Sequence, residues 1–219
     1  MAEDFTWRDR DRLVRFGRGV AKQAPDLVAS NGFDGFVLLT TERAAASAPG
    51  LADAAAGVVH VPPGRVDEIS AELLGAEALS GGPPVVALGG GRVIDAAKAI
   101  AGATGARCAA LPTTLSGAEM TPFHRLPAGV EGARFVGPAL VVADPEVMAG
   151  APLTTLAATA MNALAHAMEA LYTPLANPVT TMAALRAAQL LAEGVTADPP
   201  DRDALALGAV LAGYSSGCT

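Results

Sequence analysis

Through the first two thirds of the chain, short apolar runs alternate with longer stretches in which apolar residues recur every three or four positions. Residues 36–39 form one such run, and 41–56 continue with helical spacing. A second run at 58–61 is broken by Pro62, Pro63 and Gly64, and 66–79 has helical spacing again. A third run spans 85–88, with a helical stretch at 93–101. A fourth, 106–111, stops at Pro112, and a further one, 139–143, ends at Asp144 and Pro145. Strands that alternate with helices of this length predict a parallel sheet covered on both faces, an α/β fold of Rossmann-like type. After Asp144 the texture changes: 153–172, 179–193 and 203–214 all read as helices, punctuated by Pro174, Pro178, Pro199 and Pro200. The expected organisation is an α/β nucleotide-binding domain over residues 1–148 and a partial all-helical domain over 149–219.

Bulk properties narrow the function classes. The chain has 219 residues, 51% of them apolar and only 17% charged, enough for one large or two small domains with ample core. A net charge of −7, with no basic cluster or aromatic platform, argues against a nucleic-acid partner. No apolar run approaches the roughly 18 residues of a membrane helix. The charged start, from Met1 to Arg10, is not that of a signal peptide. Cys108 and Cys218 are far apart and read as free thiols, which fits a cytoplasmic protein.

Three segments carry candidate chemistry. The first is the apolar run at 85–88 followed by Gly89, Gly90, Gly91 and a helical pattern that includes Asp95 and Lys98. Consecutive glycines let backbone N–H groups approach a ligand, and a helix start just beyond favours an anion such as a dinucleotide pyrophosphate. The plainer alternative is a tight turn with a surface ion pair between Asp95 and Lys98, one helical turn apart. The second is the hydroxyl-rich turn after Pro112, with Thr113, Thr114 and Ser116, at the carboxyl end of a strand where open α/β sheets bind ligands. An ordinary turn with locally satisfied hydroxyls is the alternative. The third is Asn162, His166 and Glu169 on one stripe of an otherwise apolar helix. Metal ligation would need a carboxylate or histidine where Asn162 stands; the alternative is a pair of polar residues in a core.

In this order and spacing, GGGRVIDAAKAIA, LPTTLSGAEMTP, ADPEVMAGAP and NALAHAMEALYTPLANP resemble the iron-containing alcohol dehydrogenase superfamily. That group includes glycerol dehydrogenases and maleylacetate reductases, and the Asn162-to-His166 segment looks most like the reductases. The resemblance implies a parallel-sheet nucleotide domain, then an all-helical domain, with the active site in the cleft between them. It implies that Gly89, Gly90 and Gly91 bind the pyrophosphate of NAD or NADP. Asp95 and Lys98 would lie beside the cofactor, Thr113 and Thr114 would contact it, and Thr40 and Thr41 would lie near the adenine ribose. Asn162 and His166 would face the substrate.

Four departures qualify this. Family members extend well past position 219, so the helical part is expected to be truncated, and the family's later histidines are not among His60, His124 and His166. No tightly bound metal is therefore expected. Arg92 stands where a small hydroxyl residue is common, and could pair with Asp95 or favour NADP. Asp95 suits the alcohol dehydrogenases better than the reductases. Ala118 and Arg134 replace a serine and a lysine. The expected activity is NAD(P)H-dependent reduction of maleylacetate to 3-oxoadipate, or of a related small molecule, by a homodimer. His166 would be the proton donor and Asn162 a substrate hydrogen-bond donor, with His124 and Arg134 as conceivable helpers. The alternative is a catalytically weak relative that acts by binding or within a larger assembly.

Overall fold

Alternation along each strand decides which layer of the molecule it feeds. In the computed structural model, which describes residues 4–219, the chain opens with a hairpin that the sequence reading did not anticipate. Its strands β1 (Phe5–Asp9) and β2 (Arg12–Phe16) pair antiparallel, with Phe5 opposite Phe16 and Asp9 opposite Arg12. Arg10, at φ 55°, makes the turn. Helix α1 (Ala24–Ser30) follows, then β3 (Val37–Thr40), α2 (Glu42–Ala45), α3 (Pro49–Ala54), β4 (Gly57–His60) and α4 (Val66–Leu73). Strand β5 (Val85–Gly89) leads into α5 (Gly91–Thr104), β6 (Cys108–Pro112), β7 (Leu140–Ala143) and α6 (Pro145–Met148). Three long helices complete the chain: α7 (Leu153–Tyr172), α8 (Pro178–Thr196) and α9 (Arg202–Gly217).

The sheet order is β1-β2-β7-β6-β5-β3-β4, and every pair except β1 with β2 is parallel. The sheet is parallel as expected, with an antiparallel hairpin added at one edge, so the glycine run follows the fifth strand rather than the third. The helical pattern at 41–56 also breaks in two, because Pro49 starts a new helix at its first turn. The pattern at 66–79 ends as a helix at Leu73 and resumes only as a 3-10 turn, Glu77–Leu79.

Both faces of the sheet are covered, as the alternation implied. Leu38, Val86, Leu88, Ala109 and Leu111 point to one side, against Phe33 and Leu51. Val37, Leu39, Val85, Ala87 and Ala110 point to the other, against Ile69 of α4 and Ile94 and Ile100 of α5. A third cluster joins the sheet to the long helices: Val14, Phe16, Val141 and Ala143 pack with Ala160, Ala163 and Ala167 of α7, Leu191 of α8 and Leu205 of α9. Each buried Leu, Ile or Phe contributes about 1.5–3 kcal/mol, so these three clusters, more than helix propensity, hold the layers together. Side-chain caps fix where the late helices start. Asn177 accepts from Val179 and Thr180 ahead of α8, and Asp201 accepts from Asp203 and Ala204 ahead of α9. Among the described residues no helix is long and apolar enough to cross a membrane.

Candidate functional site

The parallel strands deliver their carboxyl ends to one edge of the sheet. Thr41 follows β3, Gly90 follows β5, Thr113 and Thr114 follow β6, and Glu146 lies just past β7. These residues line one cleft of about 690 Å³, together with Arg43, Ser47, Gly91, Arg92 and a wall from Val147 to Thr155. A second cleft of about 740 Å³ shares Gly91 and Arg92 with the first. It runs past Asp95, Ser116 and Arg125 to Asn162, His166 and Glu169 of α7. A ligand can therefore lie across the start of α5 with one end among the strand termini and the other at the helical stripe. That is the crevice in which open α/β sheets bind ligands.

The glycines serve close approach rather than an unusual backbone angle. Gly90 has φ −77°, and neither Gly89 nor Gly91 has positive φ. A Cβ on Gly89 would lie 2.6 Å from Val93 Cβ, whereas one on Gly90 would lie 3.1 Å from Thr114 Cγ2, at the cleft wall. Gly89 is buried, and its carbonyl accepts the Thr113 N–H at 3.0 Å, so it sets the spacing of the two loops. Gly90 and Gly91 present the open surface of the cradle, at the amino end of a 14-residue helix.

The other anticipated residues fall into three groups. Thr41, Thr113 and Thr114 line the first cleft, and Asp95, Asn162 and His166 line the second. Thr40 and Lys98 line neither. The Thr40 hydroxyl is buried and donates to the Leu88 carbonyl at 2.9 Å, tying β3 to β5. Lys98 is fully buried, and its ammonium donates to the carbonyls of Ala118, Thr121 and Phe123 at 2.9, 3.2 and 2.7 Å and to Thr121 Oγ1 at 3.3 Å. Its Nζ also lies 2.8 Å from Asp95 Oδ1, a close ionic contact rather than a surface pair. Lys98 thus holds the loop after the 3-10 turn Ala118–Met120 against α5, with one arm on a cleft residue.

On α7, Asn162 Nδ2 lies 3.4 Å from His166 Nε2, and His166 Nδ1 lies 3.5 Å from Glu169 Oε2. The ring is thus oriented from both sides on a half-exposed face, rather than buried in a core as the plainer alternative held. Of the conceivable helpers, His124 is held by its own loop: Nδ1 lies 3.1 Å from the Arg125 carbonyl, Nε2 accepts from Val136 N–H, and burial lowers its pKa. Arg134 is exposed and lines neither cleft. Sequence reasoning passed over Arg43 and Arg125, which line the first and second clefts respectively. Arg43 sits two residues past the anticipated Thr41, and that short offset was the available signal.

Beneath the second cleft lies Glu119, fully buried, with neither carboxylate oxygen hydrogen-bonded. Burial pushes its carboxyl up to about 7, against an ordinary 4.5; its own backbone N–H, then Lys98 and Arg12, pull the other way but do not prevail. The folded state holds this proton more tightly than the unfolded chain. Its stabilising contribution is therefore full below pH 4.5 and is lost as pH rises through about 7. The loss is on the order of 3 kcal/mol. Urea titrations from pH 4.5 to 8 should show Glu119→Gln lacking this decline and overtaking the parent at pH 8; parallel curves for the two proteins would refute the assignment.

Comparisons with known proteins bear on the family and the fold. Residues 15–152 match the family model described as iron-containing alcohol dehydrogenase, and residues 156–218 match its C-terminal counterpart. The chain is 43% identical over 143 residues to maleylacetate reductase 1 of Rhodococcus opacus, covering 63% of this chain and 38% of that protein. It is 35% identical over 209 residues to maleylacetate reductase 2 of Cupriavidus pinatubonensis, covering 87% of this chain and 56% of that one. The crystal structure of maleylacetate reductase from Agrobacterium tumefaciens superposes with a TM-score of 0.82 at 28% identity, over 99% of this chain and 66% of the other. The chain thus spans about half the length of the curated relatives it matches.

Proposed function

The chain belongs to the iron-containing alcohol dehydrogenase family, and from that membership we propose that it is an NAD(P)H-dependent oxidoreductase resembling maleylacetate reductase. Its substrate is maleylacetate, reduced to 3-oxoadipate, or a related small carboxylate. The observation that carries this reading is the continuity of the two clefts at Gly91 and Arg92, which sets a dinucleotide cradle beside the Asn162–His166 stripe. Residues 1–148 form the dinucleotide-binding part, and 149–219 belong to the helical part. Free Cys108 and Cys218 suit a cytoplasmic enzyme.

The cradle fits a dinucleotide, because Gly90 and Gly91 line the cleft at the amino end of α5 beside Thr113 and Thr114. When bound, the cofactor supplies a hydride. This chain's own groups do the rest. Arg125 lines the second cleft and answers the negative charge of substrate carboxylates. Asn162 donates its amide to the substrate. His166, set between Asn162 and Glu169, is the proton donor to the carbon next to the one that receives hydride.

The family's name implies iron, and this donor set does not fit it. Asn162 is an amide, and among the described residues no three His, Cys, Asp or Glu side chains form a metal-holding group. No step here passes through a metal. A homodimer is part of the same reading: Met161, Met168, Tyr172, Val179, Met182 and Leu185 stand exposed on α7 and α8 and favour self-association.

The test is one preparation measured in several ways. NADH or NADPH should bind in a calorimetric titration and be oxidised on addition of maleylacetate, with small aldehydes as the comparison substrates. Sedimentation should give a dimer, and elemental analysis no stoichiometric iron or zinc. Absence of binding at millimolar cofactor overturns the reading; binding without turnover favours a non-catalytic relative.

A further inference from the structure

We propose that the β3 side of the first cleft is a 2′-phosphate subsite built on Arg43, so that the chain prefers NADPH to NADH; this rests on the dinucleotide reading above. Three observations point there. Strand β3 lies beside β5 in parallel, with Thr40 level with Leu88, so the residues after β3 emerge next to the glycine cradle. In dinucleotide folds this neighbouring strand end meets the adenine ribose, where a carboxylate takes the 2′-hydroxyl of NAD or an arginine takes the 2′-phosphate of NADP. Here the strand ends at Thr40 and Thr41 follows it, both uncharged. Thr40 is bonded to Leu88, and Thr41 caps α2 by accepting from Ala44 N–H. Glu42 is exposed and is not among the cleft residues, whereas Arg43 is.

The charge pattern supports the same placement. Among the described residues neither Arg43 nor Arg92 makes a side-chain hydrogen bond or ion pair, and of the arginines without one these two alone line the first cleft. Two unengaged guanidinium groups thus share one cleft in a chain of net charge −7. The cleft's one carboxylate, Glu146, has Arg18 at 4.0 Å. Arg92 stands at the start of α5, where the pyrophosphate lies in this reading. Arg43 stands two residues past the ribose position, with its donors available for another anion. Ser47 donates its own hydroxyl to the Ala44 carbonyl at 2.6 Å, so the guanidinium is the group that recognises the phosphate.

The test is calorimetric binding of NADPH and NADH to the parent chain and to Arg43→Ala. A charge-assisted contact of this kind corresponds to about a tenfold or greater preference for NADPH. Arg43→Ala should remove most of that preference and leave NADH affinity within about twofold, and the parent's preference should shrink as salt is raised. 2′,5′-ADP should bind the parent more tightly than 5′-ADP, which separates a ribose-borne phosphate from a free one; inorganic phosphate competing as well as 2′,5′-ADP would count against the subsite. Equal affinities in the parent, or an equal loss for both cofactors in the variant, overturn this proposal alone. Failure of both cofactors to bind removes the dinucleotide reading and this one with it.

Discussion

Gly90→Trp should weaken dinucleotide binding by at least about a hundredfold while the folded core survives. The reason is where a side chain at that position must go. A Cβ on Gly90 would already lie 3.1 Å from Thr114 Cγ2 and 3.2 Å from its Oγ1, so the ring is turned along the cleft that both residues line. It then occupies the space over the N–H groups that face the pyrophosphate in this reading. Loss of those charge-assisted bonds, at about 1.5–3 kcal/mol each, is enough for the stated fold-change. Gly89→Ala is the contrasting variant. Its Cβ would meet Val93 Cβ and Cγ2 at 2.6 Å inside the core, a small-to-large change that costs about 1–3 kcal/mol of stability. Calorimetric titration and thermal unfolding should therefore separate the two: Gly90→Trp loses binding and keeps most of its Tm, and Gly89→Ala loses Tm. A Gly90→Trp protein that binds NADH and NADPH like its parent would show that the cradle is not where the dinucleotide lies.

The parts of the fold that were legible in the sequence are those whose burial is uniform. Strands β5, β6 and β7 are buried along their whole length and read as plain apolar runs closed by glycine or proline. The long helices α7, α8 and α9 announce themselves by period and by the prolines and caps between them. The hairpin was missed because Asp9 and Arg12 interrupt the face that carries Phe5, Trp7, Val14 and Phe16, while Arg8 and Arg15 stand on the other face, so charge masks the alternation. That charge has a use: Arg12 Nη1 donates to the Met120 carbonyl at 2.7 Å, so the edge of the sheet braces the turn beneath the second cleft. The candidate site divides in the same way. Residues immediately after a strand were legible, since topology alone carries Thr41, Gly90, Thr113 and Thr114 to one edge. Arg43 and Arg125 were not, because each reaches its cleft from a loop or a single helical turn that has no period to read.

Lys98 is where spacing and structure part most sharply, and its replacement should be the most costly to the fold. Family resemblance sets it beside the cofactor, and helical spacing offers a surface pair with Asp95. The structure instead surrounds a fully buried ammonium with three carbonyls, a hydroxyl and the Asp95 carboxylate. Lys98→Met preserves the stem and removes the charge. The Ala118, Thr121 and Phe123 carbonyls lose a donor they share, and Asp95 faces the gap without a cation. Breaking a buried pair from one side costs about 3–5 kcal/mol, a large fraction of the stability of a domain of this kind. Urea unfolding of Lys98→Met is expected to register that loss. The double variant Asp95→Asn with Lys98→Met should recover part of it, because the stranded carboxylate is gone. The 118–123 loop lines the second cleft through Ala118, Thr121 and Phe123, so substrate affinity should fall further than cofactor affinity. A Lys98→Met protein as stable as its parent but unable to bind NADH or NADPH would return the ammonium to the cofactor and overturn the structural role argued for it.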